Sequence, residues 1–140
     1  VSIYPYTDTK EGYEKAGINW VNPLDSNSSN LNHGKLLYQK YCIYCHGELG
    51  AGDGLVVVKG KFPKPPEFYS SVLKNLPHGK IFHSITYGKG LMGSHAPMLS
   101  VEERWKLTHY VQKLQWPDGR PIAVADTTTG KKEIRKKGKK

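Results

Sequence analysis

The sequence predicts an all-α domain built from three main helices, and three observations carry that prediction. Apolar and aromatic residues recur at three- and four-residue steps in three separate stretches, the spacing of a helix face. One of those stretches opens on Ser100 with Glu103 three residues later, the signature of a helix-capping box. The intervals between them, such as "GELGAGDG" and "FPKPPEF", are rich in Gly and Pro, which break helices and favour tight turns.

Residues 1–30 are rich in Tyr, Asn, Asp and Ser, contain Pro5 and Pro23, and show little sustained period. They read as an extended N-terminal arm without a core of its own, with one helical turn around Glu11 to Ala16. From Gly34 the pattern changes. Leu36, Leu37, Tyr38, Tyr41 and Tyr44 recur as on a helix that runs into the chain's two cysteines. A second helix is expected from Gly79 to Tyr87, with Ile81, Phe82 and Ile85 facing inward and Gly88 and Gly90 ending it. The third helix begins after Ser100, buries a stripe of Val101, Trp105, Thr108 and Val111 flanked by Leu107 and Leu114, and stops at Pro117. The organisation is therefore an arm at 1–30, one domain at 31–116 and a tail at 117–140.

At 140 residues the chain fits a single domain with one modest core. A formal charge of +9 suggests an anionic partner until it is located. The last ten residues, "KKEIRKKGKK", carry +6 of it and leave +3 for residues 1–130. The basicity is a tail property and gives no nucleic-acid surface. The tail itself reads as disordered, serving as a solubilising end or in a weak electrostatic role toward acidic protein or lipid. No run approaches the ~20 apolar residues of a membrane span, and no basic start with an apolar core marks a leader, so the chain is expected to be soluble or already processed.

The chemistry concentrates in "YCIYCHGELGAGDG", residues 41–54, which holds both cysteines and a histidine directly after the second. On a helix, positions three and four apart share a face, so Cys42, Cys45 and His46 can present toward one flat object. A haem satisfies that geometry: two thiols capture its vinyl groups as thioethers while the imidazole binds iron, and C-x-x-C-H is the spacing of covalent haem attachment. A thioredoxin-like redox pair would want a preceding strand, and none of suitable length stands before Cys42. A structural zinc site would want a second short-spaced ligand pair, which His33, His78, His83, His95 and His109 do not form.

With His46 on one axial position, the other ligand separates a carrier from a catalyst, because a second strong ligand closes the iron to oxygen and peroxide. Met92 is the first choice, in the glycine-rich loop "YGKGLMGSHAPML". Met98 is the second, placed just before Leu99 and the Ser100 cap, where an apolar residue ordinarily packs against its helix. His95, His83 and an open position complete the alternatives. His/Met ligation raises the reduction potential relative to two histidines and suits a one-electron relay. His109 reads as a surface or packing residue, His83 as packing or a partner for a haem propionate or a backbone carbonyl, and His33 as part of the first helix's start.

Gly34-x-x-x-Tyr38 ahead of Cys42-Ile43-Tyr44-Cys45-His46-Gly47, then Gly52-Asp53-Gly54, a Pro-rich loop, Met92, and a closing helix with Tyr110-Val111-x-x-Leu114 together resemble the class I cytochromes c over roughly residues 31–116. The resemblance implies one covalent haem c, first and last helices crossing at Gly34 with Tyr38 and Tyr110 packed beside it, and a carbonyl from Pro65 or Pro66 that orients His46. Tyr87 and Trp105 are candidates for lining the haem or its propionates, or equally plain core. A narrower likeness is present in "HGKIFHSITYGKGLMGSHAPMLSVEERWKLTHYVQKLQ" and in "YPYTDTKEGYEKAGINWVNPL". These segments are similar to the monohaem cytochrome subunit of alternative complex III, a bacterial quinol-oxidising membrane assembly, and to the arm preceding its haem domain. In that family a proline commonly follows the ligand methionine, and here Gly93 stands in its place.

That likeness implies an electron-transfer subunit, not an enzyme alone, on the periplasmic side of the cytoplasmic membrane. Its partners would include a multihaem cytochrome and an iron–sulfur subunit, with a downstream cytochrome c or oxidase as acceptor. Membrane association would come through those partners or a lipid anchor outside this chain. A coreless arm favours a fixed subunit, because such a segment orders best against neighbours. A freely diffusing carrier or the small haem subunit of a dehydrogenase is the alternative.

Overall fold

The structure, a computed structural model, describes residues 3–119. The basic tail, and the disorder expected of it, lie outside the described residues from 120 onward. Among the described residues six helices follow in order: α1 (Lys10–Asn19), α2 (Ser28–Tyr41), α3 (Ile43–His46), α4 (Leu55–Val58), α5 (His78–Tyr87) and α6 (Val101–Gln115). Among the described residues the only extended pairing is an isolated bridge between Lys89 and Met92. The all-α expectation holds, with α2 running into α3, α5 and α6 as the three main helices of the sequence reading.

α6 starts where its capping box places it. The Ser100 hydroxyl accepts from the Glu103 N–H at 3.1 Å and the Glu103 carboxylate accepts from the Ser100 N–H at 3.0 Å. α2 begins at Ser28 because the Asn27 side chain accepts from the Asn30 N–H at 2.8 Å. The expected boundary at 30/31 therefore falls inside a helix, and His33 lies within α2, beside the Lys106 ammonium at 3.1 Å, not at its start.

α2 and α6 cross at Gly34. A Cβ there would collide with the Lys106 carbonyl oxygen, so only glycine permits this approach, and the Tyr38 and Tyr110 rings fill the space alongside with centroids 5.3 Å apart. Around the crossing, Leu37, Tyr38, Ile81, Ile85, Leu99, Leu107, Val111 and Leu114 form the core. The buried Arg104 guanidinium closes its upper end, donating to the Leu99 carbonyl at 3.1 Å and the Thr86 hydroxyl at 3.3 Å.

The arm departs from expectation. It contains a ten-residue helix instead of one turn, because Thr9 caps α1 through its hydroxyl (2.9 Å from the Gly12 N–H) and α5 receives it at a second glycine crossing, Gly79 against the Ala16 carbonyl. Only Gly12 and Ala16 are buried on α1, so no apolar stripe announced it. The arm's aromatic residues are nonetheless packed on its own domain. Tyr4 and Trp20 pack on Phe82, His83, Tyr87 and Trp105 of α5 and α6, with ring centroids 5.2–5.8 Å apart, and Tyr6 joins them through Tyr4 and Trp20. Hydrogen bonds distant in sequence pin it: Tyr4 hydroxyl to His83 Nδ1 (2.7 Å), Tyr87 hydroxyl to the Tyr6 carbonyl (2.6 Å), Asn22 Nδ2–H to the Trp105 carbonyl (3.0 Å) and His109 Nε2–H to the Leu24 carbonyl (2.7 Å).

Candidate haem-attachment site

α2 ends on Cys42, whose backbone (φ −114°, ψ −26°) is a small break before the single turn of α3, so Cys42, Cys45 and His46 occupy consecutive helical geometry. The turn is held from three directions. The Tyr38 hydroxyl donates to the Gly47 carbonyl at 2.6 Å, the Gly52 N–H to the His46 carbonyl at 2.8 Å, and the Gly54 N–H to the Cys45 carbonyl at 3.1 Å. "GELGAGDG" thus folds back to satisfy carbonyls that a one-turn helix leaves open. Gly52 takes a positive φ of 78° against the Pro65 carbonyl, a position where a side chain would be strained and would collide.

Both thiols are free. Burial, and after it the neighbouring Cys45, push the Cys42 thiol up to about 12. A redox dithiol needs the opposite, a thiolate available near neutral pH, so the thioredoxin-like reading loses its chemistry here. Among the described residues no three His, Cys, Asp or Glu side chains gather as a metal-ion site, which leaves the zinc reading without a ligand set. Burial, followed by the nearby His95, holds His46 down to about 4, so its imidazole is neutral and keeps a lone pair for iron. Its ring lies against Phe68 at 4.8 Å. Sequence reading missed that aromatic, although it is the last letter of the quoted Pro-rich loop.

Two expectations need correction. Neither Pro65 nor Pro66 accepts from His46: Nδ1 is buried with no hydrogen-bond partner, the Pro65 carbonyl being turned against Gly52. Tyr87 and Trp105 are committed to the arm-facing cluster. The Tyr87 hydroxyl bonds Tyr6, and Trp105 stacks on Trp20 (5.8 Å) and Phe82 (4.3 Å). His83 and His109, bonded to Tyr4 and Leu24, also belong to the arm side, and both are buried packing residues.

The glycine-rich loop after α5 places Met92 in a tight turn, its carbonyl accepting from Lys89 at 2.9 Å and its N–H donating to the Lys89 carbonyl at 3.0 Å. Met98 is 47% exposed, and Leu99 instead takes the core position before the Ser100 cap. The residues present fit a covalent haem: two free thiols, one neutral imidazole whose Nδ1 is unmatched, and a methionine-bearing loop after α5.

Residues 29–111 match the family model described as cytochrome c oxidase, cbb3-type, subunit III. The chain belongs to this family of c-type cytochromes. A chain of the Kuenenia stuttgartiensis reducing HAO-like protein complex is 34% identical, with a TM-score of 0.58 over 66% of this chain and 46% of that one, so this chain spans about half its length. Cytochrome cL from Hyphomicrobium denitrificans is 24% identical (TM-score 0.53, covering 81% of this chain and 64% of that one). Cytochrome cL from Methylophaga aminisulfidivorans is 20% identical (TM-score 0.55, covering 82% and 75%). These last two show the fold alone, that of class I cytochromes c. No curated protein matches the chain. As a member of the family this cytochrome is an electron carrier with one covalently bound haem c.

Proposed function

We propose that this cytochrome is the monohaem relay subunit of a membrane-bound quinol-oxidising complex of the alternative complex III type, on the periplasmic side of the cytoplasmic membrane. It hands single electrons to a downstream cytochrome c or oxidase. Its carrier role rests on one observation, the presentation of Cys42, Cys45 and His46 from a single half-buried turn. When bound, the haem supplies an iron that cycles by one electron. The chain's own residues do the rest. Cys42 and Cys45 would provide the thioether sulfurs, His46 a nitrogen ligand to iron, and Met92 a thioether ligand, with Met98 as second choice. Phe68, packed on the His46 ring, would shield that imidazole from water.

Support for a complex comes from two sources. The arm and the α5–α6 segment are similar to the quinol-oxidising assembly's cytochrome subunit, and the 34%-identical relative belongs to a reducing HAO-like protein complex. The arm's rings are satisfied by α5 and α6, yet the arm exposes Ile3, Ile18 and Val21, and Leu49 (67% exposed), Leu55, Val58 (70%) and Phe62 are exposed on and beside α4, apolar surface suited to a protein partner. Purification from native membranes tests the reading. Co-purification with multihaem and iron–sulfur subunits is expected, whereas recovery solely as a soluble monomer that exchanges electrons with a dehydrogenase would move the assignment to a free carrier.

A further inference from the structure

The loop after α5 carries a nitrogen donor that the His46/Met92 pairing leaves unused. His95 stands three residues past Met92, and its backbone is fixed: its N–H donates to the Ile85 carbonyl at 2.9 Å and its carbonyl accepts from the Met98 and Leu99 N–H groups at 3.1 Å. Its Nδ1 lies 3.1 Å from the Gly93 carbonyl. A carbonyl only accepts, so Nδ1 carries the proton and Nε2 keeps the lone pair, the orientation that a second partner imposes on metal-binding imidazoles. Among the described residues no hydrogen bond engages Nε2.

Position supports the same role. The His95 ring meets Tyr41 edge-on at 6.3 Å, and Tyr41 immediately precedes Cys42. The other engaged histidines are occupied elsewhere, His83 with Tyr4, His109 with Leu24 and His33 with Lys106. Met92 and His95 thus sit on one loop, separated by Gly93 and by Ser94, whose hydroxyl is tied to the Thr86 carbonyl at 2.6 Å.

We propose that His95 is a reserve axial ligand, taking the haem iron through Nε2 when the methionine thioether leaves. The inference rests on the haem reading of Cys42, Cys45 and His46. The step is a ligand substitution: an iron–sulfur bond breaks, an iron–nitrogen bond forms, no electron changes hands, and the Nδ1 proton stays on its bond to Gly93. Imidazole in place of thioether lowers the reduction potential, so the exchange would reset the relay.

The test uses the full haem-loaded chain with both thioethers removed, Met92→Ala with Met98→Ala. The ferric protein is expected to lack the far-red sulfur-to-iron band yet stay low-spin with a bis-imidazole electron paramagnetic resonance signature. Adding His95→Ala should convert it to high-spin and tighten binding of exogenous imidazole at least ~10-fold, since the internal competitor is gone. A haem-loaded protein that is high-spin before His95 is removed, or unchanged by its removal, overturns the proposal. Should the variants fold poorly, Met92→Leu with Met98→Leu, which keeps side-chain volume while removing both thioethers, repeats the comparison with and without His95→Ala. A pyridine haemochrome assay separates the two failures: absence of covalent haem sinks the attachment reading and this inference with it, whereas high-spin covalent haem sinks this inference alone.

Discussion

The arm side and the attachment side of this cytochrome are finished by opposite means. On the arm side, side chains some 80 positions apart in sequence meet directly: Tyr4 with His83, Tyr87 with Tyr6, Trp20 with Trp105. Each aromatic pair adds about 1 kcal/mol beyond its burial, and the cluster closes itself, leaving the Trp20 indole N–H unmatched. On the attachment side a one-turn helix is braced by loop backbone and the Tyr38 hydroxyl, a neutral imidazole is buried with one nitrogen unmatched, and apolar side chains from Leu49 to Phe62 face outward. One side is held together by its own side chains. The other makes chemical sense only with a group that consumes two thiols and an imidazole.

Substitutions should break the two sides differently. The largest effect belongs to Cys42→Ala with Cys45→Ala: covalent haem is lost completely, read as a colourless protein without a haemochrome signal. Trp105→Ala, in the arm cluster, should cost about 3–5 kcal/mol of stability while leaving the visible spectrum of the folded protein unchanged. A thermal melt followed at both the aromatic and the haem bands checks that separation. Gly34→Ala acts between the two sides by forcing Lys106 away from α2, and a loss of about 2 kcal/mol is expected in a denaturant titration.

The smallest effects concern the Tyr4–His83 bond. Tyr4→Phe should cost about 1 kcal/mol. Burial, partly opposed by Asp8 and reinforced by Lys89, lowers the His83 pKa from its ordinary 6.5, so the native protein holds this ring neutral. As pH falls below 6.5 the unfolded chain takes up a proton that the native chain refuses, so this contribution is present above that pH and lost below it. The melting temperature should therefore fall between about pH 8 and about pH 5, with a shallower slope in His83→Gln.

The same contrast explains what the sequence revealed. α6 was legible because a capping box and a stripe of large apolar residues act within one helix, whereas the Gly34 crossing with Tyr38 and Tyr110 was legible only through the resemblance to class I cytochromes c. The Cys42/Cys45/His46 cluster was legible because three reactive side chains share five residues. α1 was hidden because it buries only Gly12 and Ala16, and α4 because four apolar residues between glycines carry no period. Tyr87 and Trp105 were drawn toward the haem in the sequence reading because their partners, Tyr6 and Trp20, lie more than 80 residues away, beyond any local pattern. The partnership of Phe68 with His46 was hidden for the same kind of reason: a loop had to fold back to make it.

The most direct measurement is the intact mass of the mature protein, followed by mapping of the peptide that contains residues 42–46. A mass exceeding the polypeptide by one haem, with the adduct on Cys42 and Cys45, is the predicted result. A bare polypeptide mass with two titratable thiols would contradict the account.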